Sequence, residues 1–272
     1  MPSPGPLLQA RELRVCFGGG RDIFGQKKTP FEALKGIDFE VAAGEAYAIV
    51  GESGAGKSTA ARCVVGLQRP TSGEILFDGE PLSFKGPNRR AIQMVFQDPY
   101  SSLNPRMSVG AALVELLRVN KIAASKQAAR ERAKELLDMV GMPASALELR
   151  PRAFSGGQRQ RIGIARALAI EPTLLVADEP VSALDVSIQA SILLLLKRLQ
   201  QELGLTMLFI SHDLAVVRQL CDRVAVMCEG EIIEEGTVSE VLSRPRQEFT
   251  RALLEAATDL PELEMDLAVG SA

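Results

Sequence analysis

One nonapeptide, Gly51-Glu52-Ser53-Gly54-Ala55-Gly56-Lys57-Ser58-Thr59, fits the pattern of a phosphate-binding loop: a Gly, four free positions, Gly-Lys, then Ser or Thr. Residues 46–50 before it are typical of a short buried strand, and residues 59–67 suit a helix. Glycines let backbone N–H groups close around phosphate oxygens, and the positive end of the following helix adds to the attraction. Lys57 would reach the β- and γ-phosphates of a nucleotide, and the Ser58 hydroxyl would ligate Mg²⁺. A glycine-rich turn can match by chance, but the strand–loop–helix context favours a nucleotide site.

The bulk composition is that of a globular protein. The chain has 272 residues, 46% of them hydrophobic, with a net charge of −3. This charge gives no argument for nucleic-acid binding, and no apolar run approaches membrane-spanning length. Residues 1–6 lack the basic start and apolar stretch of a signal peptide, so the cytoplasm is the default location. The cysteines show no metal-type spacing, which predicts small buried hydrophobes.

Strand and helix patterns alternate along most of the chain, which predicts a mostly parallel sheet covered on both faces. A polar segment over residues 18–30, between two strand patterns, predicts an exposed hairpin loop. Two helical patterns between Ser108 and Gly141 predict a helical insertion into the α/β core. The later core elements are predicted as helices at 157–170, 187–203 and 214–220 and strands at 173–177, 205–210 and 223–228.

Two carboxylates end the apolar run Leu174-Leu175-Val176-Ala177-Asp178-Glu179. At the carboxyl end of a strand beside a phosphate loop, the first acid suits Mg²⁺. The second acid is placed to polarise an attacking water as a general base. Such a strand is common and mostly structural by itself, so the hypothesis depends on its pairing with the phosphate loop.

The single histidine, His212, follows the strand pattern of residues 205–210. A lone histidine is more often a capping or core residue. Open α/β sheets, however, bind their ligands at the carboxyl ends of strands. We therefore favour a place for His212 on the γ-phosphate side of the nucleotide.

A second glycine-rich helix start lies at Phe154-Ser155-Gly156-Gly157-Gln158. Ser155 and two glycines at a helix start form another anion-binding N-terminus. A plain capped helix is the alternative, and physics alone leaves it open. If this start cannot reach the first nucleotide within one chain, a dimer sharing two nucleotides would use both.

In this order the segments resemble an ATP-binding-cassette (ABC) ATPase subunit over nearly the whole chain. Residues 51–59 match the Walker A loop, Gln97 the glutamine loop, 154–158 the signature, 174–179 Walker B, 182–185 the D-loop and His212 the switch histidine. Phe154 stands where the signature usually has Leu, a mild departure at an apolar position.

The resemblance implies an α/β fold: a P-loop NTPase (RecA-like) core with a mostly parallel sheet, an N-terminal antiparallel β subdomain and an inserted α-helical subdomain. It implies one ABC ATPase domain over residues 1–258, with the core at 1–97 and 155–245, the helical subdomain at 98–154 and a C-terminal helix at 246–258. Residues 259–272 are expected to form a flexible acidic tail.

The resemblance also implies a dimer in which ATP bound to the phosphate loop of one subunit is capped by the signature of the other. Glu179 would be the general base, His212 a γ-phosphate contact, and Gln97 a sensor of Mg²⁺ or the attacking water. Phe17 is expected to stack on adenine, with Phe24 and Phe31 as alternatives. The implied nucleotide-binding residues are Phe17, Gly51, Glu52, Ser53, Gly54, Ala55, Gly56, Lys57, Ser58, Thr59, Ser155, Gly156, Gly157, Gln158 and Asp185, and the implied Mg²⁺ ligands are Ser58, Gln97 and Asp178.

Residues 97–107, 179–187 and 249–254 resemble the peptide and nickel importer branch of the family. This implies an oligopeptide or dipeptide importer ATPase, peripheral at the cytoplasmic face of the membrane. Its expected partners are transmembrane permeases, a second ABC ATPase subunit and, indirectly, a substrate-binding protein, but no nucleic acid. The alternatives are an importer of nickel or another small solute, a soluble ABC ATPase without a transport role, and a phosphotransferase, which would leave the signature unexplained.

Overall fold

The computed structural model describes residues 5–18, 29–83, 88–98 and 103–258. The strands are β1 (Leu8–Phe17), β2 (Phe31–Val41), β3 (Ala46–Val50), β4 (Ser72–Phe77), β5 (Glu80–Pro81), β6 (Ile92–Val95), β7 (Leu174–Asp178), β8 (Thr206–Ser211), β9 (Arg223–Cys228) and β10 (Glu231–Thr237). The helices are α1 (Lys57–Val64), α2 (Asn88–Ala91), α3 (Val109–Val119), α4 (Lys126–Met139), α5 (Gly156–Leu168), α6 (Val186–Leu203), α7 (Leu214–Leu220), α8 (Val238–Ser243) and α9 (Glu248–Thr258), with 3₁₀ turns at Ala144–Glu148 and Pro151–Ala153.

The larger sheet has the strand order β10-β9-β3-β8-β7-β6. Its strands run parallel from β9 to β6, while β10 pairs antiparallel with β9 at one edge. Strand β3 lies in the interior of the sheet, and a parallel strand buried on both faces reads as a continuous apolar run. The register places Val50 beside Ser211 and Val226, so three strands end at the same edge. The phosphate loop and His212 both begin at this edge.

Alternate residues of β3 point into two separate cores. Ala46, Ala48 and Val50 pack with apolar residues of α3 to α7 on one face of the sheet. Tyr47 and Ile49 pack on the other face, against α1 and a smaller antiparallel sheet of order β2-β1-β4-β5. The molecule is therefore layered, with α1 and the phosphate loop between the two sheets.

The fold class is confirmed: a mostly parallel sheet, an antiparallel sheet near the N-terminus and inserted helices α3 and α4, each begun by a serine cap (Ser108 and Ser125). The domain boundaries stay a prediction, and the tail at 259–272 and most of the hairpin loop lie outside the described residues. None of the helices in the described part of the chain combines the length and apolarity needed to cross a bilayer.

Several expectations were wrong in detail. The helix expected at 59–67 spans Lys57–Val64, because Gly56 is its N-cap and Gly66 turns away with φ +74°. The helix expected at 157–170 spans Gly156–Leu168. Cys16 is exposed rather than buried, since Val15 points inward and alternation turns the next residue outward. Strand β10 and helix α8 were not predicted.

Candidate nucleotide-binding site

The phosphate loop (residues 51–59) joins β3 to α1. Gly56 is the N-cap of α1, has φ +107° and provides no side chain to cap the first helical N–H groups. These groups are left for an anion, which the helix dipole also favours. Glu52, Ser53 and Gly54 are exposed, whereas Ala55 is buried in the apolar core on the α1 side of the larger sheet.

Two glycines of the loop are required by close backbone contacts. A Cβ on Gly51 would lie 2.1 Å from the Met227 carbonyl oxygen, and Gly51 has φ +152°. A Cβ on Gly56 would lie 2.5 Å from the Ala33 carbonyl oxygen. Both contacts are to main-chain atoms that cannot rotate away, so only glycine fits.

Lys57 is only 4% exposed, and its Nζ donates to the carbonyl oxygens of Gly51 and Glu52 at 2.8 Å each. Burial lowers the pKa of Lys57, while Glu179, Asp178 and Glu52 act in the opposite direction. The loop thus holds a lysine ammonium at its centre, where a phosphate would bind.

Ser58 and Asp178 meet across the site. The Ser58 hydroxyl donates to Asp178 Oδ1 at 2.8 Å. Asp178 ends β7 and is 6% exposed, and burial raises the pKa of its carboxyl, a shift opposed by the Ser58 hydrogen bond and by Arg62. A hydroxyl and one carboxylate are hard oxygen ligands of the kind that Mg²⁺ uses together with substrate phosphates. Among the described residues there is no set of three or more His, Cys, Asp or Glu side chains arranged for a metal.

Glu179 is held by both of the other predicted catalytic residues. Gln97 Nε2 donates to Glu179 Oε2 at 3.1 Å, and His212 Nδ1 lies 3.4 Å from Oε1. Glu179 has φ +46°, an unusual conformation for a glutamate, and its backbone N–H donates to the Ile210 carbonyl of β8. This conformation does not by itself mark a site, because Glu171 and four other non-glycine residues of the described chain also have positive φ.

Ser182 belongs to the same network but was not among the predicted site residues. Gln97 Nε2 also donates to Ser182 Oγ at 3.2 Å, and that hydroxyl donates to the Glu179 carbonyl oxygen at 3.1 Å. Its place at the first position of the D-loop segment was the only signal in the sequence. Asp185, which was predicted to bind nucleotide, is the exposed N-cap residue of α6.

The signature segment (residues 154–158) forms a self-contained helix start. The Gln158 N–H donates to Ser155 Oγ at 3.3 Å, and the Ser155 N–H donates to Gln158 Oε1 at 3.0 Å, a complete capping box. Gly157 packs so closely on α6 that a Cβ would lie 2.4 Å from Ile188 Cγ2. Across the described part of the chain, no hydrogen bond or ion pair joins residues 155–158 to the phosphate loop.

The predicted adenine-stacking residue ends strand β1. Phe17 is 41% exposed and pairs across the strands with Phe31, which is 62% exposed. Directly paired residues share one face of a sheet, so the alternative Phe31 lies on the same face and at the same end of the strands as Phe17. The third alternative, Phe24, lies outside the described residues.

Comparison with known proteins gives a consistent result. A model of the ABC transporter family matches residues 34–182. The oligopeptide transport ATP-binding protein OppF of Escherichia coli is 45% identical over 96% of this chain and 80% of its own length. A putative peptide import ATP-binding protein of Brucella ovis is 49% identical over 92% of this chain and 78% of its own length.

Solved structures agree. The ADP- and Pi-bound dimer of the ATP-binding cassette MJ0796 has a TM-score of 0.74 at 30% identity, covering 85% of this chain and 98% of that chain. The Clostridium perfringens protein cbiO1, part of the cbiONQ transporter complex, has a TM-score of 0.74 at 32% identity, covering 88% and 92%. The phosphate loop, the two carboxylates at the end of β7 and the histidine after β8 therefore have their explanation in common descent: this chain belongs to the ABC transporter family, as one of its ATP-binding ATPase subunits.

Proposed function

We propose that this chain is the ATP-hydrolysing subunit of a peptide importer and drives uptake through separate transmembrane permeases. The observation that carries the proposal is 45–49% identity, over more than nine-tenths of the chain, to proteins named for oligopeptide and peptide import. The dipeptide transport protein DppF of Escherichia coli, 45% identical over 94% of the chain, supports the same substrate class.

In the proposed mechanism, the phosphate loop binds the triphosphate of ATP. The free N–H groups at the start of α1 and the Lys57 ammonium face the phosphates. Ser58 and Asp178 would hold Mg²⁺, which supplies charge neutralisation for the phosphate oxygens when bound. Phe17 or Phe31 would stack on adenine.

Glu179 is proposed to accept the proton of the attacking water. One carboxylate oxygen accepts a hydrogen bond from Gln97 and the other faces His212, so both residues orient the base. Water has to compete with the Gln97 amide for this carboxylate. A movement of Gln97 would therefore release Glu179 for catalysis, which links the base to the helices that follow residue 97.

The signature segment is proposed to act on the ATP of a second ABC ATPase subunit, either another copy or a related cassette. Ser155 is exposed, and its helix start has no hydrogen-bonded link to the phosphate loop of its own chain in the described residues. The cassette MJ0796, which is similar in fold and sequence, is a dimer in its ADP- and Pi-bound state, and this supports the arrangement.

We place permease docking on the surface near Gln97–Met107, of which residues 99–102 lie outside the described part. A neighbouring cleft of about 180 Å³ is lined partly by apolar residues, among them Leu67, Ile92, Val95, Phe96, Leu116 and Ala167. Phe96 directly precedes Gln97, so a permease segment in this cleft would lie beside the catalytic network. The chain would then be peripheral at the cytoplasmic face, with a substrate-binding protein acting only through the permeases.

Glu179→Gln tests the proposal. The amide keeps the size of the side chain but cannot take a proton, so we expect hydrolysis to fall by about 10²–10⁴-fold. ATP binding should be retained, and ATP should accumulate a closed dimer, visible by size-exclusion chromatography.

Glu171→Gln is the matched control, because Glu171 is also a glutamate with positive φ but is exposed and paired with Arg132. Its hydrolysis rate should equal that of the wild type. Wild-type turnover in Glu179→Gln would rule out Glu179 as the base.

A further inference from the structure

The turn between β9 and β10 contacts the phosphate loop through the main chain. The Gly230 N–H donates to the Ala55 carbonyl oxygen at 2.9 Å. On its other side, the Gly230 carbonyl oxygen accepts the Lys35 N–H of β2 at 2.9 Å. Gly230 therefore links the phosphate loop to the antiparallel sheet, which carries Phe17 and Phe31.

The phosphate loop, the β9–β10 turn and strand β2 approach one another closely at glycines, where an added Cβ would contact main-chain atoms. A Cβ on Gly230, which has φ +86°, would lie 3.0 Å from the Ala33 carbonyl oxygen. Gly56 approaches that same oxygen from the phosphate loop, and Gly51 approaches the Met227 carbonyl at the end of β9. A glycine lies at each of these contacts, so main-chain atoms set the distances between the phosphate loop, the β9–β10 turn and β2.

The hydrogen bond to Ala55 fixes the orientation of a peptide group inside the loop. In a trans peptide the C=O and the following N–H point in opposite directions. Because the Ala55 carbonyl points at Gly230, the Gly56 N–H must point away from the turn. This N–H is one of the donors at the start of α1.

We propose that Gly230 is a positioning residue for ATP binding. The β9–β10 turn holds the Ala55–Gly56 peptide with its N–H toward the phosphates, and sets the distance between the phosphate loop and the aromatic end of β1 and β2. The inference rests on the proposed nucleotide site, and it gives Gly230 a role through the phosphate loop rather than through contact with the nucleotide.

Gly230→Ala tests the inference. The added Cβ meets the Ala33 oxygen, and alanine disfavours φ +86°, so the turn should shift and weaken the Ala55 hydrogen bond. We expect a rise in Kd for MgATP of about tenfold, the loss associated with one net hydrogen bond plus local strain. The kcat at saturating ATP should change less than about twofold, because transition-state contacts are not involved.

Gly79→Ala is the matched control. Gly79 also has positive φ (+77°), but nothing lies within 4 Å of its added Cβ. It carries the same conformational cost without touching the loop, so its Kd for MgATP should equal that of the wild type. Equal Kd values for Gly230→Ala and wild type, or an equal loss in Gly79→Ala, would overturn the inference.

Two further measurements keep the outcome clear. If Gly230→Ala does not fold, Gly230→Asn replaces it, because asparagine tolerates positive φ better than other side chains. It should show a smaller rise in Kd of the same kind, and an unchanged Kd would count against Gly230. If the wild type itself fails to bind MgATP, the proposed nucleotide site is wrong, whereas wild-type binding with unaffected variants refutes only the role of Gly230.

Discussion

Helices α1 and α5 both begin in glycine-rich segments, yet a side chain caps the first N–H groups of α5 and none caps those of α1. The N-cap of α1 is Gly56, which has no side chain to cap the helix, and the first helical residue, Lys57, lies near the carboxylates of Asp178 and Glu179. The N-cap of α5 is Ser155, an exposed residue in a complete capping box with Gln158. The first start leaves its N–H donors without a side-chain cap and open to a ligand, whereas the second is already partly satisfied by its own side chains.

The glycines at the two helix starts also pack against different kinds of atoms. Gly51 and Gly56 are pressed against main-chain oxygens, whereas Gly157 is pressed against the Ile188 side chain. Ile188 is β-branched and its χ1 is restricted within α6, so neither helix start has room for a Cβ, and the two differ in what their glycines pack against. We therefore expect the α1 start to be the principal anion site and the α5 start to serve a nucleotide only together with groups from elsewhere.

Of the variants that test this difference between the two helix starts, Lys57→Ala should have the largest effect, a loss of MgATP affinity. It removes a buried ammonium from the α1 site, and hydrogen bonds to charged groups contribute about 1.5–3 kcal/mol, or roughly ten- to hundredfold in affinity. The monomer should lose MgATP affinity by that factor in isothermal titration calorimetry.

Lys197→Ala provides the comparison, since Lys197 also donates to a backbone carbonyl, that of Leu220, but belongs to α6. Its affinity for MgATP should match the wild type. Unchanged binding in Lys57→Ala would remove the basis for calling α1 the principal anion site.

An intermediate effect is expected for Ser155→Ala. Loss of an N-cap costs about 1 kcal/mol of stability, which corresponds to a fall in Tm of about 2–4 °C. ATP affinity of the monomer should not change, because Ser155 has no link to the phosphate loop among the described residues. Hydrolysis by the dimer should fall roughly tenfold, the loss expected for one hydrogen bond to a charged phosphate.

Thr237→Ala is a control that separates the loss of stability from the loss of hydrolysis. Thr237 and Glu240 form another capping box, at the start of α8. This variant should lose similar stability and keep full hydrolysis. If Ser155→Ala and Thr237→Ala reduce hydrolysis equally, the start of α5 has only a structural role.

The sequence allowed much of this comparison to be predicted, because burial leaves clear patterns. Strand β3 lies in the sheet interior and is apolar throughout, and β7 reads the same way up to Asp178. The phosphate loop is local, so its pattern survives without knowledge of the fold. The Ser155–Gln158 capping box also has a local pattern, Ser-x-x-Gln, that could have been recognised.

Other features depend on distant partners and left no local signal. Strand β10 is an edge strand with three glutamates, so its apolar pattern is weak. Ser182 joins the hydrogen-bond network around Glu179 only because Gln97, far away in sequence, lies beside it. Gly230 looks like any turn glycine until the fold brings it against Ala55.

The smallest expected effect is on stability, and comes from Asp178→Asn at the α1 site. Burial raises the pKa of Asp178 in the folded protein above its ordinary value. Between these two pKa values the folded state binds more protons than the unfolded state, so stability falls as pH rises through that window. At neutral pH the wild type without nucleotide therefore carries the full cost of a buried carboxylate.

Asparagine removes that charge, and its Oδ1 can still accept from Ser58. We expect the nucleotide-free variant to melt a few degrees higher at pH 7, with about 2–4 °C for each kcal/mol recovered. Its stability should no longer fall as pH rises between the unfolded-state and folded-state pKa values of Asp178. Asp138→Asn, at an exposed position of α4, should leave the wild-type profile intact. A lower Tm for Asp178→Asn would mean that attraction to Lys57 outweighs the cost of burial. A higher Tm with loss of Mg²⁺-dependent hydrolysis would show that the buried Asp178 carboxylate lowers stability and is retained because the ligand requires it. The start of α5, which is capped by its own side chains, has no such cost.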